Sequence, residues 1–140
     1  MELENCINFL LSTAQHNVFQ YLNSQLAEYG ITPAQYGVMN CLWKYRELTP
    51  KQIGELLHLE ASSVSGILER MQNNGLLERN VDPENRRMIR VSPTQKTLDL
   101  QSAIEKIILE MNERVLAPFT RQEQERIRQS LTVIGNLDLT

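Results

Sequence analysis

Cysteine is scarce in this chain. Cys6 and Cys41 are the only two, too few for a disulfide framework, and a reducing compartment suits them. No apolar run exceeds about four residues, which excludes a membrane-spanning helix. No Lys or Arg precedes Lys44, so the cationic start of a secretory signal is missing too. The six glycines are isolated from one another and build no phosphate-cradling loop. No Ser/His/Asp set or carboxylate pair stands out, and His16, His58, Cys6 and Cys41 lack metal-ligand spacing. The expectation is a cytoplasmic protein that is not an enzyme and carries no metal or cofactor.

What is present suits one globular domain spanning residues 1–140, with 41% hydrophobic and 22% charged residues. The net charge is −3, but it is unevenly spread. From Lys44 to Lys96 nine cations outweigh seven anions, whereas the flanks hold five cations against ten anions. The middle is basic and the ends acidic, a modest signal for a partner of opposite charge.

Helix starts are marked by a repeated device. Thr32-Pro33-Ala34-Gln35, Thr49-Pro50-Lys51-Gln52 and Ser92-Pro93-Thr94-Gln95 each offer a hydroxyl cap, a proline for the first turn and a glutamine to reach back. Thr120-Arg121-Gln122-Glu123 is a fourth box without the proline. A long amphipathic helix is predicted from Leu3 to Tyr29, with Gly30 as its stop, and another through Leu100, Ile104, Ile107 and Met111 to Pro118. A short last helix carries Ile127, Leu131 and Ile134. Helices that long overhang any single core of this size, so the terminal ones are expected to bury their stripes against a second copy of the chain.

The centre differs. Helices over Pro50–Leu57 and Ala61–Asn74 flank the turn His58-Leu59-Glu60, and Gly75 suits a left-handed stop. Strands are predicted over Leu76–Val81 and Met88–Val91, joined by the polar turn Asp82-Pro83-Glu84-Asn85-Arg86-Arg87. The fold class is therefore mostly α with a small β-hairpin wing: a winged helix-turn-helix flanked by terminal helices.

In this order and spacing the residues resemble the multiple-antibiotic-resistance regulator (MarR) family of bacterial and archaeal transcription factors. The resemblance runs through Ile31-Thr32-Pro33-Ala34-Gln35-Tyr36, Leu48-Thr49-Pro50, Ser62 to Met71, Gly75-Leu76-Leu77-Glu78-Arg79 and the turn from Asp82 to Arg87. It implies a homodimer with dimerisation helices in 1–30 and 94–140 and a DNA-binding lobe in 32–92. The sequence departs from the family's pattern at four positions. His58 replaces a usual glycine, Gly66 stands where many members carry arginine, and Asn85 replaces an acidic residue that would orient Arg87. Pro93 replaces a leucine, leaving either Ser92 or Thr94 to cap the fifth helix.

In the second helix of such a motif the first residues meet base edges, which here are Ser62, Ser63 and Ser65. Serine reads several bases but specifies each weakly, and the alternative is that these hydroxyls cap the helix. Arg70 reaches phosphate or pairs near Glu69, while Lys51 and Gln52 open the preceding helix and suit phosphate. Arg86 and Arg87, with Asn85, are the sharpest signal. Adjacent guanidiniums at a hairpin tip repel unless an anion is near, and a narrow minor groove supplies one. Asp82 and Glu84 neutralising them is the competing reading.

The expected function is sequence-specific transcriptional regulation by a homodimer on a pseudo-palindromic operator of double-stranded DNA, as a repressor relieved by a small ligand. The resemblance also implies a cleft for an aromatic or phenolic effector, lined here by His16, Tyr36, Met39, Trp43 and Tyr45. Two alternatives stay open. One is a winged-helix dimer that binds protein and little DNA; the other is a thiol-based redox regulator using Cys6. Aligned on the family's peroxide sensors, the sensing position falls on Asn8, and the partner tyrosines fall on Ser12 and Leu22.

Overall fold

The computed structural model describes residues 1–140 as six helices and one hairpin. After a short 3-10 turn at Leu3–Asn5 come α1 (Ile7–Ala27), α2 (Pro33–Tyr45), α3 (Pro50–Leu57) and α4 (Ala61–Asn73). Strands β1 (Leu77–Val81) and β2 (Ile89–Pro93) follow, then α5 (Gln95–Leu116) and α6 (Arg121–Gly135). The first helix is thus not continuous from Leu3. Cys6 has extended backbone, at φ −90° and ψ 114°, and separates the turn from α1.

Three of the four expected capping boxes form. Thr32, Thr49 and Thr120 each accept the N–H of the residue three on, and Gln35, Gln52 and Glu123 each return the bond. Such a cap is worth about 1 kcal/mol to the helix it opens. The box at Ser92 does not form: Ser92 and Pro93 belong to β2, and Leu77 pairs opposite Pro93. Thr94 takes the N-cap position of α5, yet its hydroxyl donates to the Gly75 carbonyl at 2.7 Å instead of capping. A non-local bond has outcompeted the local motif. Leu76, expected in the strand, lies just before it, as does Met88 before β2.

β1 and β2 pair antiparallel with Arg79 opposite Val91 and Asn80 opposite Arg90. Leu48 adds a single bridge to β2, exchanging both backbone bonds with Val91 at 3.0 and 2.7 Å, and so fastens the loop before α3 to the wing. The core joins Leu26 of α1 to Val38, Met39 and Leu42 of α2, to Ile53, Val64, Leu68 and Met71 of the central helices, and to Ile104 of α5.

The outer helices are different. Among its residues α6 buries none, and α1 buries only Leu26. The chain exposes 10248 Å². A compact monomer of 16.2 kDa would expose roughly 7,500 Å². No helix is long and apolar enough to cross a membrane.

Candidate nucleic-acid interface

A tight turn sets the angle between α3 and α4. His58 sits in the left-handed region at φ 56° and ψ 44°, and its N–H and that of Leu59 both donate to the Gly54 carbonyl. Histidine tolerates that region at a cost glycine would avoid. Gly54 is required for another reason. A Cβ there would stand 3.0 Å from the Leu59 carbonyl oxygen and 3.3 Å from Val64 Cγ2. The close approach of turn to helix fixes how α4 is presented.

Val64, Leu68 and Met71 anchor α4 to the core. The opposite face is left open, with Ser62, Ser63, Ser65 and Arg70 all exposed. The serines do not cap the helix. Glu60 is the N-cap residue, without a side-chain bond, and the three hydroxyls make no bond within the chain. Arg70 pairs with no carboxylate; its Nε donates back to the Gly66 carbonyl at 3.2 Å. Lys51 and Gln52 are exposed on α3, Gln52 with its side chain engaged in the capping box. Lys51 and Ser65 line one cavity of about 570 Å³, together with Arg79 and Ile89 of the hairpin.

The wing tip is held by its own polar groups. Asp82 accepts the Glu84 N–H at 2.9 Å and Arg90 Nε at 3.1 Å. The backbone bond from Glu84, with Arg90 adding to it, holds the Asp82 carboxyl below its ordinary pKa. Asn85 Oδ1 accepts the Arg87 N–H at 3.1 Å, so the uncharged side chain fixes the backbone at Arg87. Asp82 therefore neutralises Arg90 and neither of the adjacent pair. Arg86 and Arg87 are exposed and form no ion pair in the chain.

The sequence profile of the MarR family matches residues 31–89, the stretch from the start of α2 into β2. The chain is 33% identical over 95 residues to the organic hydroperoxide resistance transcriptional regulator of Bacillus subtilis. That alignment covers 68% of this chain and 65% of the relative, just under two thirds of its length. Residues 31–89 carry the MarR-family signature. Its fold matches the PcaV transcriptional regulator of Streptomyces coelicolor, in complex with its natural ligand, at TM-score 0.91 and 24% identity over 97% of this chain and 96% of that one. It also matches a mutant MarR from E. coli complexed with operator DNA, at TM-score 0.85 and 19% identity over 91% and 92% of the two chains. The relatives are DNA-binding transcriptional regulators and not enzymes.

Of the five expected effector residues, Tyr36, Met39, Trp43 and Tyr45 lie on α2 and His16 on α1. Met39 is fully buried and Trp43 is buried, its indole N–H donating to the Thr97 carbonyl. Tyr36 is half-buried, 6.3 Å from Trp43 between ring centroids, and burial raises its hydroxyl pKa above the usual value. Tyr45 is exposed under Lys44 and lines a separate cavity of about 330 Å³ with Leu48, Gln52, Glu55 and Leu56. His16 is exposed on α1. The structure thus brings Tyr36 and Trp43 together and leaves Tyr45 apart. Cys6 is half-buried at the start of α1 and Cys41 is buried; both are free thiols. Burial pushes the Cys41 thiol pKa up.

Two arginines escaped the sequence reading. Arg90 braces the wing through Asp82, and Arg79 Nε bonds Gln72 Oε1 at 2.5 Å, tying β1 to the end of α4. The first follows from the strand register, since Arg90 opposite Asn80 is diagonal to Asp82 on the same face.

Proposed function

We propose that this chain forms a homodimeric regulator that binds a pseudo-palindromic operator, each protomer placing α4 in a major groove and its hairpin tip against the neighbouring minor groove. It acts as a repressor released by a small aromatic or phenolic ligand. The observation that carries this is Arg86-Arg87: two adjacent, exposed guanidiniums on a braced hairpin tip with no anion of their own. A DNA backbone is the anion that suits them. Ser62, Ser63, Ser65 and Arg70 then read the major groove, and Lys51 and Gln52 meet phosphate.

The second copy belongs to the terminal segments, 1–30 and 94–140. Their apolar side chains stay exposed in the single chain: Leu10, Phe19, Leu109, Leu131, Val133 and Leu137 are all open. The surface in excess of a compact monomer, roughly 2,800 Å², is on the scale of an obligate dimer interface. Two lobes held by such a body suit half-sites about one helical turn apart. The effector would enter beside Tyr36, the half-buried member of its pair with Trp43.

A gel shift with the DNA flanking the protein's own gene tests the reading. Tight binding that weakens steeply with salt is expected. Binding no tighter than to random duplex would overturn it.

A further inference from the structure

Gly66 and Arg70 lie one turn apart on α4 and share one piece of space. With Val64, Leu68 and Met71 marking the buried side, a rotation of about 100° per residue points Gly66 almost directly away from the core, with Arg70 beside it. Yet Gly66 is only partly exposed, whereas Ser62, Ser63 and Ser65 around it are open. The cover is Arg70. Its Nε donates to the Gly66 carbonyl at 3.2 Å, and its Nη2 lies 3.5 Å from where a Cβ on residue 66 would stand. Beyond the helix backbone and the adjoining Ser65 and Ile67, nothing else comes within 4 Å of that point.

The consequence is a displaced charge. Arg70 is rooted in the last turn of α4, but its guanidinium is folded back over Gly66, one turn toward the start of the helix, near the middle of the outward face. Nε is the only part of the fork engaged, so the four N–H groups of the two Nη atoms remain free. They have no carboxylate partner in the chain. The serines around them are weak readers, so this fork is the strongest base-reading group on the face.

We propose that Arg70 is a specificity-determining residue that reads a guanine in each half-site, and that Gly66 is the gap that admits its guanidinium. The inference rests on α4 lying in the major groove. Guanine offers O6 and N7 there as paired acceptors that match the Arg fork, and the bond to Gly66 preorganises the side chain for them. A methyl group on residue 66 would make ordinary contact with Nη2, whereas a longer side chain would take its place.

The test uses the full-length protein and an operator selected from a random duplex library. Each guanine of a half-site is replaced in turn by 7-deazaguanine, which lacks the N7 acceptor, and affinity is read by fluorescence anisotropy. One position per half-site should weaken wild-type binding roughly tenfold and leave Arg70→Ala unaffected. Arg70→Ala should lower the ratio of operator to random-duplex affinity roughly tenfold to a hundredfold. Arg70→Lys keeps the charge without the fork and should not restore that ratio, Gly66→Leu should lose it, and Gly66→Ala should keep it. Helical circular dichroism equal to wild type identifies folded variants, and the 7-deazaguanine scan on wild type stands without any variant. No sensitive guanine, or an Arg70→Ala protein with an unchanged ratio, overturns the assignment while the DNA-binding reading stands. A wild type that selects no sequence overturns both.

Discussion

The indole N–H of Trp43 donates to the main-chain carbonyl of Thr97 at 2.8 Å, joining α2 of the winged lobe to the first turn of α5. The bond is buried and spans residues far apart in sequence, and Thr97 is itself fully buried with its hydroxyl on the Leu76 carbonyl. The lobe is thereby fixed on the long helix that leads to the proposed dimer body.

Trp43→Phe removes this buried bond between the two helices and leaves a smaller ring in the core. A loss of about 1–3 kcal/mol in unfolding free energy is expected. Urea denaturation measures it, and a midpoint equal to wild type would mean that the bond contributes nothing net.

Two non-glycine residues hold positive φ. His58 is left-handed at 56°, and Arg46 sits at φ 67°, ψ −42°, where the Glu47 N–H closes a γ-turn onto the Tyr45 carbonyl at 2.7 Å. Both conformations are strained for a side chain. His58→Gly and Arg46→Gly should each gain about 0.5–1 kcal/mol, seen as a higher thermal midpoint. A lower midpoint at either position would show that the side chain contributes more than its strain costs.

These local features separate what was legible from what was not. Caps and stops were readable because they depend on neighbours three or four residues away, as at Thr32, Thr49, Thr120 and Gly75. Ser92-Pro93-Thr94-Gln95 carried the same local pattern and misled, since strand pairing with Leu77 and the Thr94–Gly75 bond are non-local. Periodicity could not reveal the break at Cys6, because apolar spacing is similar in a 3-10 turn and an α-helix. In the proposed site, the adjacent pair Arg86-Arg87 could be picked out from sequence alone, and both side chains are exposed without an ion pair. Arg90 and Arg79 became visible only with the hairpin register and the packing of β1 against α4.

The wing should respond to acid late. Asp82 is held below the ordinary aspartate value of 3.8 by the Glu84 N–H and Arg90. A depressed folded pKa contributes stability that is present above the unfolded value and is lost as pH falls through the folded one. Hairpin order should therefore persist through pH 5 and fade only below about pH 4. An NMR titration of the Asp82 carboxyl should give a midpoint under 3.8. A midpoint at or above that value would remove Asp82 as the brace.

Arg87→Ala should weaken operator binding by about 1–3 kcal/mol and relax preference for A·T steps beneath the wing. Lys51→Ala should instead lower affinity for all sequences alike and reduce the salt slope by about one unit. Asn85 already fixes the Arg87 amide, so Asn85→Asp should weaken binding through its added negative charge. Anisotropy titrations at several salt concentrations measure all three. Unchanged affinity for Arg87→Ala would make the hairpin purely structural, and tighter binding by Asn85→Asp would show that the tip was not yet ordered.

Dimeric engagement of DNA is measured most directly by sedimentation of the full-length protein, alone and mixed with a duplex carrying the selected operator. At micromolar concentration the free protein should sediment at about twice the chain mass, and the complex at the mass of one duplex plus two chains. A free monomer, or a complex holding one chain per duplex, would contradict a regulator built from two lobes on two half-sites.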